Sequence, residues 1–400
     1  MKKILFLDAN ETVVEAIKYA KSRGYYTISC DNKIDNIGHL YSDKQFYIST
    51  YDVASLFKLV ETEKIDGVVY FTSQHGLYGA CRIIEKYSLP GFPFNVEQTI
   101  SNKYNFRLFL SEHGFNVPKY VSLSSLSDLD RLEKIPYPLI VKPVDNGGNC
   151  GITKVECKSE LSAALQYAFN ESLSHKLIVE EYISSDFQIN GDCLYVQGKL
   201  VFSFLGRYLY PNKESILPFA TIFGPDIIPS SLKKKVDLEI QEIITKNHLI
   251  DGILNVELRV DNNGQIYFIE INPRHSGNRI YSLMNEILNI PMEHIAVDLS
   301  LGNTEFMNYL KINYQKYYAY CLLFSEDEGI YDKTEISDDL QKFILTKEFF
   351  KERGDLVKPF TLLKERIGLL HLCFPSIFEL DWIFNDIHRF FKIKYLNENK

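Results

Sequence analysis

The sequence predicts a multidomain protein in which a parallel α/β domain is followed by a mixed α+β region. Three observations support this fold class. Strand-like and helical segments alternate over the first 87 residues, the Pro/Gly-rich break LPGFP follows at residues 89–93, and residues 252–271 read as two strands joined by Asp-Asn-Asn-Gly. A chain of 400 residues is also long enough for two to three domains.

The alternation in the first part of the chain indicates parallel strands connected by helices. The apolar run at residues 3–7 predicts the first strand, and Gly24 ends a helix over residues 11–23. The next elements are strands over 25–30 and 65–71 and helices over about 76–87 and 98–112. Parallel sheets bind ligands beyond the carboxyl ends of their strands, but the first turn, Asp-Ala-Asn-Glu-Thr, lacks the glycine fingerprint of a dinucleotide site.

The composition argues against several classes of partner. Asp and Glu number 52 against 44 Lys and Arg, so no nucleic-acid partner is expected. No apolar run is long enough to cross a bilayer, and Ile4–Leu7 is too short for a signal peptide, so no membrane partner is expected. The seven Cys residues form no C-x-x-C pair, which indicates neither a disulfide framework nor a zinc site and makes a reducing cytoplasm the expected setting.

A glycine-rich loop follows a β-branched strand at residues 138–155. Lys142 lies near the end of this strand, and Gly147, Gly148 and Gly151 follow it. Glycines let backbone N–H groups approach an anion closely, and a lysine beside them adds a positive charge for phosphate. No G-K-[ST] follows, so the loop is not a Walker A motif. The residues alone fit a phosphate site and a plain hairpin with a flexible turn equally well.

The hairpin at residues 252–271 carries acidic and amide side chains at one end. Glu270 and Asn272 are two residues apart and therefore share one face of a strand, and Glu257 on the partner strand can face them. Two carboxylates and an amide oxygen suit Mg²⁺. Arg274 lies two residues beyond Asn272, so its side chain is on the same face of the strand and can reach the same cleft. The alternative is a solvated sheet face, which the apolar neighbours Val256, Ile269 and Ile271 make less favourable.

Further segments occur in an order that resembles the ATP-grasp superfamily over roughly residues 1–302. They are FTSQHGL at 71–77, SNKYNFR at 101–107 and LIVEEYISSDFQING at 177–191, ahead of the E-x-N-x-R element at Glu270, Asn272 and Arg274. The likeness is strongest to the branch that contains biotin carboxylase, the carbamoyl-phosphate synthase large chain and bacterial L-amino-acid ligases. Without this resemblance, Glu180 and Glu181 would be interpreted as the solvent-exposed end of a strand.

The resemblance implies how the nucleotide is held. Lys103 and Lys142 would bind the phosphates of ATP, and Gly147, Gly148 and Gly151 would form a mobile lid loop over them. Backbone groups of three residues would bind adenine, namely Glu180, Glu181 and Ile183. Asp186 would contact the ribose, because the usual glutamate is absent from this stretch.

The resemblance also assigns the metal ligands and the reacting centre. Glu257, Glu270 and Asn272 would hold two Mg²⁺ ions, with Mn²⁺ as a substitute. Arg274 would stabilise the acyl phosphate and the tetrahedral species that follows. Two positions depart from the family pattern: Gln74 replaces a glutamate, and Asn102 replaces an aspartate.

Four other side chains are candidates near the predicted cleft. His75 and His275 are expected to have structural or substrate-orienting roles rather than to act as general bases. Arg207 and Arg279 are candidate contacts for a substrate carboxylate, with surface ion pairing as the alternative.

In terms of domains, the resemblance implies an N-terminal α/β pre-ATP-grasp domain at residues 1–100. A two-lobed ATP-grasp domain would follow at 101–302, with a lid at about 117–183, and a small C-terminal domain would occupy 303–400. Similar enzymes are commonly dimers, so a homodimer is the assembly to test.

The implied function is that of an ATP-dependent carboxylate–amine ligase. Such an enzyme forms an acyl phosphate from a small-molecule carboxylate, passes the acyl group to an amine, and releases ADP and phosphate. Two alternatives stay open. One is a carboxylase or carbamoyl-phosphate synthase-like enzyme that uses carboxyphosphate, and the other is a non-catalytic ATP-binding sensor subunit.

Overall fold

The structure, a computed structural model, describes residues 1–126, 129–145, 150–185, 187–213 and 215–396. The strands of these residues form a parallel sheet at the N-terminus, followed by antiparallel sheets. This arrangement confirms the predicted fold class. No helix in these residues is long and apolar enough to span a bilayer.

The first part of the chain is a four-stranded parallel sheet flanked by helices. Its strands are β1 (Lys3–Leu7), β2 (Tyr26–Cys30), β3 (Lys44–Phe46) and β4 (Gly67–Val69), in the order β3-β2-β1-β4. Its helices are α1 (Val14–Ser22), α2 (Val53–Glu63) and α3 (Gln74–Tyr87). β1 pairs with both β2 and β4, and its apolar run from Ile4 to Leu7 is wholly buried.

Two helices connect this sheet to the rest of the chain: α4 (Phe94–Ile100) and α5 (Lys103–Glu112). The single helical pattern predicted over 98–112 is therefore interrupted. The reason is local, because the side chain of Asn102 accepts hydrogen bonds from the backbone amides of Tyr104 and Asn105 and so caps a new helix. The interruption makes Lys103 the first residue of α5.

The next segment is a small antiparallel sheet with one helix. It contains β5 (Tyr120–Leu123), β6 (Leu139–Pro143), β7 (Thr153–Val155), α6 (Lys158–Glu171) and β8 (Leu177–Glu181), with strand order β5-β8-β6-β7. Side chains from β6, β8 and α6 form a buried apolar cluster of its own, including Val141, Leu165 and Val179. This segment, which we call the lid after the prediction for residues 117–183, therefore has a small apolar core of its own.

The remaining strands build an eight-stranded antiparallel sheet and a small three-stranded one. The elements that precede residue 302 are β9 (Phe187–Val196), β10 (Lys199–Leu209), β11 (Ala220–Phe223), α7 (Ser230–Lys246), β12 (Gly252–Val260), β13 (Ile266–Asn272), α8 (Ile280–Asn285) and α9 (Met292–Ser300). Those that follow are β14 (Tyr317–Leu323), β15 (Gly329–Ile336), α10 (Asp338–Gln341), β16 (Ile344–Phe349), β17 (Leu356–Val357), β18 (Gly368–Phe374), α11 (Ile377–Phe384) and β19 (Phe391–Tyr395).

The large sheet crosses the boundary that the sequence suggests after residue 302. Its order is β13-β12-β9-β10-β11-β14-β18-β16, so strands from both sides of that boundary pair directly. The small sheet has the order β17-β15-β19. Short 3-10 helices lie between these elements, at Glu11–Val13, Ile37–Leu40, Leu129–Lys134, Glu305–Asn308, Leu363–Glu365 and Ile387–Arg389. The division into domains remains a prediction.

Strands β9 and β10 lie close together at Gly191. A Cβ atom there would overlap the carbonyl oxygen of Phe204 and lie 2.8 Å from the Cα atom of Leu205. Both contacts are with backbone, which cannot move without disturbing the pairing of the two strands.

We therefore expect Gly191→Ala to lower the free energy of unfolding by about 1–3 kcal/mol, the usual cost of overpacking. The measurement is chemical denaturation. Gly277→Ala is the matched control, because a Cβ atom at Gly277 would meet nothing within 4 Å. Equal stability of the two variants would contradict the close approach of β9 and β10.

Candidate functional site

The hairpin β12–β13 contains a β-bulge that directs its acidic side chains. Glu257 pairs with Glu270, whereas the next residue, Leu258, pairs with Phe268, so Ile269 is the extra residue. The bulge brings Glu270 opposite Glu257, where regular pairing would have placed Ile269. Asn255 pairs with Asn272 beyond them. Glu257 is opposite Glu270, as expected, although the bulge was not predicted and Asn272 is opposite Asn255.

Arg107 links this bulge to the lid. The residue is fully buried, and its guanidinium donates to the carbonyl oxygens of Phe268 (3.0 Å) and Ile269 (2.9 Å). The same group pairs with the carboxylate of Glu180 in β8, with Nε 2.6 Å from Oε1. One side chain of α5 therefore satisfies the bulge carbonyls and neutralises a buried carboxylate of the lid.

Glu180 also binds Lys142, the lysine that precedes the glycine-rich loop. The Glu180 side chain is buried, so the alternative in which this strand end meets solvent is wrong. Burial acts to raise the pKa of Glu180, but Arg107 and Lys142 more than offset it and hold the value at about 2. Burial lowers the pKa of Lys142 to about 8, against the opposing effect of Glu180. A phosphate group near Lys142 would add a second anion beside its ammonium.

Lys103 reaches the hairpin from the start of α5. Its Nζ atom lies 3.5 Å from Oε1 of Glu270, and its side chain is buried. The backbone amide of Lys103 donates to the carbonyl of Val144 (3.0 Å), which ties the helix to the end of β6. The two predicted phosphate lysines thus approach the site from α5 and from the lid.

The carboxylates of Glu257 and Glu270 fit a divalent cation. Burial and the neighbouring Glu270 raise the pKa of Glu257. Burial acts the same way on Glu270, but Lys103, Asn272 and Arg274 outweigh it and lower its pKa. A cation between the two would relieve their repulsion. The amide nitrogen of Asn272 donates to Glu270 (3.2 Å), which leaves the amide oxygen as a candidate third ligand. Across the described ranges, no cluster of three or more His, Cys, Asp or Glu residues is arranged for a metal.

Arg274 is held at the mouth of this hairpin by two hydrogen bonds. Its Nε donates to the side-chain oxygen of Gln74 (2.9 Å) at the start of α3, and its Nη1 donates to the carbonyl of His275 (2.9 Å). The His275 ring in turn pairs with the buried carboxylate of Asp192 (2.9 Å). His275 therefore has a structural role, as expected, because it fixes the carbonyl that orients Arg274.

A cavity of about 880 Å³ joins these residues to the N-terminal sheet. It is bordered by predicted site residues on one side and by side chains of α3 and α4 on the other. The first group is Lys103, Glu270, Asn272 and Arg274, and the second includes Gln74, His75, Tyr78, Arg82, Glu97 and Gln98. His75 thus borders the cleft as predicted. Arg279 does not: it forms ion pairs with Glu11 and Glu348.

The lid residues are placed only in part. Gly147 and Gly148 lie outside the residues that the structure describes, as does Asp186. Gly151 has a φ of +75°, and a Cβ atom there would lie 2.7 Å from Cγ of Pro143, so a glycine is required.

The segment expected to bind adenine is partly engaged within the protein. The amide of Glu181 donates to the carbonyl of Lys119 (2.8 Å), and the carbonyl of Ile183 accepts from Arg259 (2.9 Å). A base bound at this segment would use its remaining backbone groups. Tyr182, within it, has Arg259 over its ring at 4.7 Å.

Arg107, Gln74 and Asp192 are contacts of the site to which the sequence assigned no role. Arg107 belongs to the SNKYNFR segment, and its spacing of four from Lys103 puts both on one side of α5. That spacing was the available signal. Asp192 and Gln74 contact residues 83 and 200 positions away, which no local pattern indicates.

Comparison with known proteins confirms the resemblance for the central part of the chain. Residues 135–282 match the family model of the ATP-grasp domain. The chain is also 24% identical over 306 residues to the carbamoyl phosphate synthase large chain of Thermotoga petrophila. That alignment covers 74% of this chain and 27% of the longer protein, so the chain spans about a quarter of that relative.

Solved structures with the same fold cover nearly the whole chain. L-amino acid ligase from Bacillus licheniformis has a TM-score of 0.83 at 18% identity, covering 99% of both chains. The biotin carboxylase domain of 2-oxoglutarate carboxylase from Hydrogenobacter thermophilus, in complex with MgADP, ADP and bicarbonate, has a TM-score of 0.72 at 16% identity, covering 98% of this chain and 90% of that one. The chain thus shares its fold with both proteins over nearly its whole length.

Arg107→Met should be destabilising, with a characteristic dependence on pH. Above the ordinary carboxyl pKa of 4.5, ionised Glu180 stabilises the folded state, and this contribution is lost as pH falls towards its folded value of about 2. Removing Arg107 should cost about 3–5 kcal/mol at neutral pH. The difference in free energy of unfolding between the wild type and the variant should shrink as pH falls from 4.5 to 2. What remains is the cost of leaving the two carbonyls of the bulge without their hydrogen-bond donor.

Denaturant titration at several pH values measures this difference. Arg131→Met is the control, because Arg131 is exposed and donates only to the carbonyl of Ser122 in the described part of the chain. A destabilisation by Arg107→Met that is the same at every pH would contradict the pairing with Glu180.

Proposed function

We propose that this protein is an ATP-dependent ligase that joins a small-molecule carboxylate to an amine and releases ADP and phosphate. The observation that carries the proposal is the meeting of Lys103, Glu270, Asn272 and Arg274 around one cavity, with Glu257 opposite Glu270. The matched ATP-grasp domain and the L-amino acid ligase fold support it.

The charges of the site suit the transfer of a phosphoryl group to a carboxylate. Both reactants are anionic, and the lysines at positions 103 and 142 would offset their repulsion and hold the phosphate oxygens in line. Two Mg²⁺ ions, or Mn²⁺ in their place, held by Glu257, Glu270 and Asn272, would supply further neutralisation of phosphate charge. We therefore assign these side chains to nucleotide binding and phosphoryl transfer.

Arg274 acts on the carboxylate side of the same reaction. A carboxylate oxygen forms a bond to the γ-phosphorus while the bond to ADP breaks, which gives an acyl phosphate. The amine nitrogen then adds to the acyl carbon, and phosphate leaves. The guanidinium of Arg274, fixed by Gln74 and His275, can donate to the oxygen on which negative charge develops.

The lid suits the need to exclude water. An acyl phosphate hydrolyses readily, so the site must close until the amine arrives. Lys142 and Glu180 lie on the lid, and Arg107 connects them to the hairpin. A lid that carries part of the phosphate site would close over ATP as the nucleotide binds. We assign Gly147, Gly148 and Gly151 to the loop that covers the phosphates, Asp186 to the ribose, and Glu180–Ile183 to adenine.

A second candidate function is a reaction through carboxyphosphate, with bicarbonate as the carboxylate. The similarity to the carbamoyl phosphate synthase large chain and to a biotin carboxylase domain favours it. Bicarbonate-dependent ADP release without an organic carboxylate would support this candidate. ATP binding without turnover in any screen of carboxylates and amines would instead support a sensor subunit.

Glu270→Gln and Arg274→Ala should fail at different steps. The first variant loses a carboxylate of the metal site, so its ATP affinity should no longer increase with Mg²⁺. The second should still bind MgATP, but its rate of product formation should fall about 10²–10³-fold, as for other single oxyanion donors.

The measurements are ATP affinity at varied Mg²⁺ and single-turnover ADP formation with the carboxylate that screening identifies. Glu242→Gln, on the exposed side of α7, is the matched control. Normal turnover by Arg274→Ala, or full Mg²⁺ dependence in Glu270→Gln, would show that the hairpin is not the reacting centre.

A further inference from the structure

Helix α3 carries three polar side chains along the wall of the large cavity. They are Gln74, Tyr78 and Arg82, spaced by four residues, and all three border the cavity. Gln74 holds Arg274, so this end of the helix marks the place of the reacting carboxylate. Eight residues of α-helix rise about 12 Å, which puts Arg82 two turns away from that centre.

The guanidinium of Arg82 is fixed between two aromatic rings. Its central carbon lies 3.5 Å from the ring centroid of Tyr78 and 3.8 Å from that of Phe94. Nη1 also donates to the carbonyl of Tyr78 (3.0 Å). Stacking uses the faces of the guanidinium and leaves its N–H edge for hydrogen bonds in the plane. Such a fixed fork is suited to an oxyanion.

Glu97 lies near enough to Arg82 to feel its charge, but the two do not form a salt bridge. Throughout the described ranges, Arg82 takes part in no ion pair. The nearby carboxylates are turned to other groups: Glu97 accepts from Gln98 (2.8 Å), and Glu85 accepts from the amide of Asn95 (2.8 Å). Burial raises the pKa of Glu97 despite Arg82, which weakens it further as a counter-charge.

Aromatic side chains line the passage between Arg82 and Gln74. The ring of Tyr51 lies 4.8 Å from that of Tyr78 and 5.3 Å from that of His75. All three residues border the cavity. Aromatic faces suit the hydrocarbon or ring portion of a ligand whose charged groups lie at its two ends.

We propose that Arg82 binds a second oxyanion of the carboxylate substrate, and that the preferred substrate is therefore a dianionic acid. One carboxylate reacts beside Arg274, and a carboxylate or phosphate group at the far end binds Arg82, two helical turns away. The assignment rests on the proposed function and adds the substrate class to it. It makes Arg82 a specificity-determining residue rather than a catalytic one.

The test compares three probes of equal length, measured by calorimetry in the presence of MgADP. They are suberate, with a carboxylate at each end, octanoate, with one carboxylate, and 7-phosphonoheptanoate, with a phosphonate at the far end. Wild-type protein should bind at least one dianionic probe about tenfold or more tightly than octanoate, the effect of one added charged hydrogen-bonded contact. The better dianionic probe identifies whether the far group is a carboxylate or a phosphate.

Two variants connect this preference to Arg82. Arg82→Gln should bind all three probes with the weak affinity of octanoate, and Phe94→Leu, which removes one of the stacked rings, should reduce the preference. Arg23→Gln is the matched control: its guanidinium lies 5.7 Å from the Tyr19 ring in the same sheet domain, and Arg23 does not border the cavity. The control should retain the full preference.

The ratio of affinities separates this role from a structural one. If Arg82 only joined α3 to α4, Arg82→Gln would lower the melting temperature without changing the ratio between suberate and octanoate. A wild-type protein that binds neither dianionic probe, or binds all three equally, would overturn the assignment, as would a preference that survives in Arg82→Gln. MgADP binding is measured in the same titrations, and its absence from the wild type would contradict the proposed function itself.

Discussion

The buried guanidinium of Arg107 is the interaction on which the arrangement of the site depends. It binds the carbonyls of the β-bulge, the carboxylate of Glu180 and, through Glu180, the ammonium of Lys142. These groups belong to α5, to the lid and to the large sheet. A fully buried charge is tolerated only when it is paired and hydrogen-bonded, so Arg107 anchors strands β6 and β8 of the lid to α5 and to the large sheet at this point. The bulge that brings Glu270 opposite Glu257 is stabilised by the same contacts.

The positive and negative side chains around this cluster are arranged in a way that fits an anionic nucleotide with a bound cation. Lys103 and Lys142 bring positive charge from two directions, whereas Glu257 and Glu270 repel each other across the hairpin. Phosphate oxygens would pair with the two lysines, and a divalent cation would relieve the repulsion between the two glutamates. Arg274 stands apart from this group, because Gln74 and His275 direct it towards the cavity that continues to α3. Under the proposed function, the lysines and glutamates would face the nucleotide, and Arg274 would face the substrate.

Much of this arrangement can be predicted from sequence because the signals are local. The apolar run of β1, the Asp-Asn-Asn-Gly joint and the spacing of Glu270, Asn272 and Arg274 each specify an element or a face. The order of the segments gives the fold class, which the structure and the family match confirm. The phosphate-binding roles of Lys103 and Lys142 stay predictions, the first from the resemblance and the second also from the glycine-rich loop that follows it.

The features that sequence reasoning missed depend on contacts between distant parts of the chain. The bulge at Ile269 depends on pairing with β12 and on Arg107, which lies 162 residues away. The break between α4 and α5 follows from the cap at Asn102, which the helical periodicity hides. The continuation of the large sheet past residue 302 depends on the pairing of β11 with β14, and no local pattern specifies a strand's neighbour.

The central claim is that the lid, α5 and the hairpin form a single nucleotide site, and Lys142 tests it most directly. Calorimetry of MgATP binding should show a wild-type affinity that Lys142→Ala weakens by about tenfold or more, since a buried charge–phosphate contact is lost. Lys134→Ala, an exposed lysine of the lid, should bind like the wild type. Equal MgATP affinity in the wild type and Lys142→Ala would contradict the account.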